Sequence, residues 1–108
     1  MDKEVNVDKL IHIYGQSQWH DDCYIVGSIE GLKMLQQAIS EALENGQAVT
    51  GDHLFTSDGE GYEIRVIRFE APWGAEWFQL PSTYVDYPES RPEEQVMAPY
   101  QLWKERVG

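Results

Sequence analysis

The segment Asp58–Glu70, reading Asp-Gly-Glu-Gly-Tyr-Glu-Ile-Arg-Val-Ile-Arg-Phe-Glu, leaves the fewest choices to the folding chain. Its opening Asp-Gly-Glu-Gly bends easily and stays hydrated. Tyr62, Ile64 and Val66 then alternate with Glu63 and Arg65, the period of a half-buried strand. Past Val66 the alternation slips, and Ile67 and Phe69 take the opposite face. A bulge produces such a slip, as does a strand end covered on both sides. The segment is expected to form a turn and the central strand of a small sheet.

The flanking sequence supplies partners for that strand. Residues 1–8 are polar and are expected to be a loose N-terminus. Lys9–Tyr14 carries apolar groups on both faces and reads as a strand closed by Gly15. A polar connector with one large aromatic, Trp19, leads to Cys23–Gly27, a β-branched and aromatic run suited to pair with the first strand as a hairpin. Ser28 then offers an N-cap, with Glu30 in the first turn. Leu32, Leu35, Ile39, Ala42 and Leu43 recur at helical spacing, while Lys33, Gln36, Gln37, Ser40, Glu41 and Glu44 fill the other side. Asn45-Gly46 ends the helix. Gln47–Asp52 reads as a loop and His53–Ser57 as a short strand, joined to the central strand by the Asp58–Gly61 turn. The expected fold is α+β: a mainly antiparallel sheet of about four strands in the order hairpin, helix, hairpin, with one helix on one face.

Beyond Glu70 the character changes. Trp73, Trp77, Phe78, Tyr84 and Tyr87 are interrupted by Pro72, Gly74 and Pro81, which rule out a long regular element. Trp77–Leu80 suits a short fifth strand, and Pro88–Pro92 a linker. Glu93–Ala98 suits one helical turn stopped at Pro99. Tyr100, Leu102 and Trp103 form a last apolar cluster, expected to dock on the domain as a tail. At 108 residues, 42% of them apolar and 25% charged, one soluble domain covering 1–108 is expected. No apolar run is long enough for a membrane span, and the charged N-terminus is not that of a secretory signal. The lone Cys23 excludes an internal disulfide and fits a reducing cytoplasm.

Some of these stretches also resemble known proteins. The Val26–Leu43 block, Asp-Gly-Glu-Gly-Tyr at 58–62 and Leu-Pro-x-x-Tyr-x-Asp at 80–86 are similar to segments of small bacterial proteins of unknown function. Some of those proteins are regarded as immunity-type partners of bacterial toxins. The resemblance spans about half the chain and rests on a helix, a turn and a strand end. It implies a bacterial or phage origin and a binding role, and it carries over no active site.

Charge is the most unusual global property. Nineteen Asp and Glu face eight Lys and Arg, a formal net charge of −11. Nucleic acid and anionic membranes would be repelled, and a basic surface attracted. Acidity also serves solubility alone. Candidate chemical sites are sparse. His20-x-x-Cys23 has ligand-like spacing, and His12 and His53 are available to complete a set, but no second close pair exists, so a polar loop ending in a buried cysteine is expected and no metal. Cys23 lies beside Asp21 and Asp22, which disfavour its thiolate. Asp58, Glu60 and Glu63 do not match a calcium loop and read as a solvated turn. Gly59-x-Gly61 has acids around it and would repel phosphate.

The aromatic segment at 71–87 remains. It suits a rigid contact surface, because Trp and Tyr bring large area at little conformational entropy. It also suits a lid folded over the sheet face that the helix leaves bare. The expected function is therefore a small acidic, non-enzymatic binding or inhibitory protein without cofactor. Its partner would be a basic protein such as a toxin or a nucleic-acid-handling enzyme, with a homodimer left open. The expected contact residues are Trp73, Trp77, Phe78, Tyr84 and Tyr87 with Asp58, Glu60, Glu76 and Asp86. The alternative is a binder of a small nucleotide-like ligand, stacking a ring on Trp73 or Trp77 and gripping an anion with Arg65 or Arg68.

Overall fold

The computed structural model describes residues 9–16, 18, 20–51, 53–81, 83, 91–92, 94 and 96–104. Contacts divide the chain into two compact units, Met1–Tyr14 with Cys23–Arg68, and Gly15–Asp22 with Phe69–Gly108. The expected loose N-terminus, Trp19, Tyr84, Asp86, Tyr87 and most of the 88–108 segment's linker lie outside the described residues.

The first unit is α+β, as expected. Strands β1 (Ile11–Tyr14) and β2 (Tyr24–Gly27) pair antiparallel, Ile11 opposite Gly27 and Tyr14 opposite Tyr24. Helix α1 (Ile29–Asn45) follows directly. Its N-cap does double duty. The Ser28 hydroxyl accepts the N–H of Gly31 at 3.0 Å and of Leu10 at 3.2 Å, and the Ser28 N–H donates to the Leu10 carbonyl at 2.9 Å. The helix start is thereby tied to the chain entering β1. Gly46, at φ 100°, ends the helix in the left-handed conformation, its N–H bonded to the Ala42 carbonyl.

The sheet differs from the single sheet of about four strands expected. Among the described residues the strands form three two-stranded antiparallel ladders. Besides β1–β2, strand β3 (Gln47–Val49) pairs with β6 (Arg65–Ile67), and β4 (Leu54–Phe55) with β5 (Gly61–Tyr62). A parallel bridge from Leu10 to Phe55 joins the chain before β1 to β4. Gln47–Val49 is a strand and not the expected loop, because the turn at Gly46 sends the chain back along β6 with Ala48 buried. The central strand is cut in two at Glu63–Ile64. Thr50 explains the cut: its hydroxyl accepts the Ile64 N–H at 3.2 Å, and its own N–H donates to the Ile64 carbonyl at 3.1 Å. With both backbone groups of Ile64 satisfied there, the chain can leave β4 and join β3 without orphaning a polar group. The slip therefore falls earlier than the alternation indicated.

The core is small. Ile11 and Leu54 are its large buried members, and the helix contributes Ala38 and Ala42 against Ala48 and Val66. The helix thus buries its glycine–alanine face; of the stripe that periodicity selects, Ala42 is buried and Leu35 half-buried. Leu32, Ile39 and Leu43 are exposed. Close approach is the reason. A Cβ at Gly31 would collide with the Leu10 carbonyl oxygen, so small side chains must face the strands. Cys23, expected to be buried, is exposed.

The second unit is irregular, as its prolines require. It contains a four-residue helix α2 (Ala75–Phe78) where a fifth strand was expected, and a 3-10 turn at Pro99–Leu102. That turn begins at Pro99, a position where the missing N–H costs nothing; of the helical turn expected at Glu93–Ala98, Glu93 and Gln95 lie outside the described residues, Glu94 is in 3-10 conformation and 96–98 are irregular. Leu102 and Trp103 are half-buried. Among the described residues no helix is long and apolar enough to cross a membrane.

Candidate functional site

The aromatic segment of the second unit sorts its rings by role. Trp77 on α2 is half-buried; its indole N–H donates to the Ala71 carbonyl at 2.8 Å. Phe69 meets it edge-on, ring centroids 4.9 Å apart. Trp77 is thus the strut that folds 69–77 into a compact turn. Trp73 leans on it with centroids 5.9 Å apart, yet is 87% exposed. Phe78, on the same helix, is 60% exposed, with the Arg91 guanidinium 4.6 Å over its ring. Arg91 also donates to the Leu80 carbonyl at 2.9 Å, and the Met97 N–H donates to the Gln79 carbonyl at 2.6 Å. These bonds hold the C-terminal side of α2. Thr83 donates to Gln16 at 2.7 Å, and Gln16 to the Asp21 carbonyl at 3.1 Å, within the same unit. The arrangement displays two large exposed apolar rings on a hydrogen-bonded scaffold.

Of the acids expected beside these rings, Glu76 lies on α2 and is exposed. Asp58 and Glu60 belong to the first unit, at the turn between β4 and β5. Asp58 is engaged within that turn: the Thr56 hydroxyl donates to it at 2.5 Å and the Glu60 N–H at 3.2 Å. The Thr56 bond is the main reason its carboxyl sits below the usual range. Tyr84, Asp86 and Tyr87 lie outside the described residues.

The arginines of the ligand-binding alternative also belong to the first unit. Arg65 is exposed on β6. Arg68 donates to the Leu43 carbonyl in the last turn of α1. That turn contains no basic residue of its own, so Arg68 supplies the cation that the helix C-terminus favours.

The histidines are dispersed. His12 accepts the Ser57 N–H at its Nε2, 2.9 Å away, while its Nδ1 lies 2.7 Å from the Tyr14 hydroxyl. Both ring nitrogens are thus occupied, Nε2 in tying β1 to the β4–β5 turn and Nδ1 within β1 itself. His20 and His53 are exposed, as is Cys23. Among the described residues no group of three or more His, Cys, Asp or Glu is placed to hold a metal ion.

Two features escaped the sequence reading. Arg91 looked like a linker residue, and its Phe78 contact has no local signature. The exposed stripe of α1 was assigned to the core, although Gly31, Ala38 and Ala42 share a helix face and signal where the close contact falls. Comparison with protein-family models, curated proteins and solved structures finds no match for this chain.

Proposed function

We propose that the protein is a small acidic binding or inhibitory protein that docks a basic protein surface, with Trp73 and Phe78 as anchors. The exposure of Trp73, at 87%, carries this reading. An indole left in water beside a satisfied strut represents unused contact area, and tryptophans in such settings are frequent binding hot spots. The unit around it holds nine Asp and Glu against three Lys and Arg, a formal −6, so cations are drawn toward the same region. A nuclease-type toxin or another nucleic-acid-handling enzyme presents the matching charge, and the carboxylates stand where phosphates would. A cytoplasmic setting suits the exposed thiol of Cys23. The small-ligand alternative draws less support, because Arg68 is already engaged by the helix terminus.

The test is inhibition of a panel of purified basic nuclease toxins, with affinity measured by calorimetry. Binding should weaken at least tenfold between about 50 and about 200 mM salt, as charge neutralisation demands. Trp73→Ala should cost about 2 kcal/mol, roughly thirtyfold in Kd, the loss typical of a buried anchor. Affinity indifferent to both changes rules the reading out.

A further inference from the structure

The exposed stripe of α1 has a pattern of its own. At 100° per residue, Gly31, Leu35, Ala38 and Ala42 occupy one arc of the helix, with Gly31, Ala38 and Ala42 buried. The adjacent arc holds Ile29, Leu32, Gln36, Ile39 and Leu43, and its four apolar members are 72%, 41%, 43% and 65% exposed. Glu30, Gln37, Glu41 and Glu44 lie on the far side. The apolar face of α1 is therefore about twice as wide as the strands beneath it cover. Within the open half, the spacing alternates three and four residues, the seam of a helix that packs against another helix.

We propose that two copies of this chain associate through this seam, α1 against antiparallel α1, about a two-fold axis at Gln36. Reversal turns the 3-4-3-4 spacing into 4-3-4-3, so antiparallel seams centred on Gln36 match to within one residue. Ile29 then faces the partner's Leu43, Leu32 lies one residue out of register with the partner's Ile39, and Gln36 meets its own copy, whose amide both donates and accepts. Charge selects a second copy over a basic protein for this face. Its border residues are Lys33 and Ser40, and it contains no acid to recognise a cation. The carboxylates that give each chain its −11 lie elsewhere on the helix and the molecule, so no like charges meet across the seam. Area agrees as well. Leu32 lies against Gly27 of β2, and Ile13 and Ile25, on the same hairpin face as Gly27, are also exposed. At on the order of 100 Å² each, these six apolar side chains offer roughly 600 Å², and the central Gln36 with the Lys33 and Ser40 border brings this near the ~800 Å² per partner of a standard interface.

Sedimentation equilibrium of the full chain at roughly 50 μM and about 0.15 M salt should give twice the 12.5 kDa chain mass. Because two chains of −11 repel, added salt should tighten this association, opposite in sign to the response of a basic partner. Leu43→Lys and Ile39→Lys, both at exposed positions, should keep the helical circular dichroism and weaken dimerisation at least tenfold. Gln36→Leu should tighten it by a similar factor. A chain that remains at 12.5 kDa overturns the proposal and leaves the face to a different protein, as does a Leu43→Lys variant that dimerises like the parent.

Discussion

At the scale of single residues, Gly31 shows how tertiary contact overrides local preference. Helix propensity alone favours alanine over glycine there by about 1 kcal/mol. The Leu10 carbonyl occupies the space a Cβ would need, and that carbonyl also receives the Ser28 N–H. Gly31→Ala should therefore destabilise the first unit, by about 1–3 kcal/mol as over-packing does. Urea denaturation decides it, and a stabilised variant would mean that α1 does not approach β1 so closely. Tyr62 offers a second residue-scale test. Burial raises its phenol above the ordinary value of 10.0, and its hydroxyl donates to the Ile11 carbonyl at 2.6 Å. A pKa raised on folding means stability that is complete below the unfolded value and falls as pH climbs through the folded one. The parent should thus lose stability relative to Tyr62→Phe as pH climbs above about 10. At neutral pH the variant should be weaker by about 1 kcal/mol for the lost hydrogen bond. A parent–variant difference that is constant with pH would place the phenol in water.

Secondary-structure elements repeat that lesson. The helix was legible in nearly every respect, because Ser28, Glu30 and Asn45-Gly46 encode its ends locally. The β1–β2 hairpin was legible for the same reason: its pairing is set by neighbouring residues. The buried side of the helix was not, since hydrophobic periodicity marks an apolar arc without saying which half meets the strands. The split of the central strand was hidden too. It depends on Thr50, fourteen residues away from Ile64, placed in register by the β3–β6 ladder. Thr50→Val keeps the shape and removes the acceptor. It should cost about 1 kcal/mol, the usual loss for a part-buried N–H left unpaired. A neutral substitution would show that water reaches Ile64. In the aromatic segment, the prolines forecast irregularity correctly, but not which ring turns outward. Trp77 and Trp73 are alike in composition and spacing, and the Ala71 carbonyl decides between them.

For the molecule as a whole, the two units are unequal in what holds them. The first contains every fully buried apolar side chain among the described residues, together with the seventeen-residue helix. In the second, no described side chain is fully buried, and order comes from edge-on rings and hydrogen bonds to carbonyls. Local stability follows buried apolar contact, so the second unit should open first. The chain contains its own reporters. All four tryptophans, at 19, 73, 77 and 103, belong to the second unit, whereas helical circular dichroism arises mainly from α1 in the first. In urea, the fluorescence transition should precede the loss of helicity by roughly 1 M, given ordinary slopes for chains of this size. Coincident transitions would instead require that burial links the units into one cooperative body. The proposed binding surface belongs to the more weakly held unit, which would let its rings adjust to a partner while the helix and its strands stay fixed. Saturation with a cognate basic partner should then raise the fluorescence midpoint and leave the helical one unchanged, because ligand stabilises what it touches.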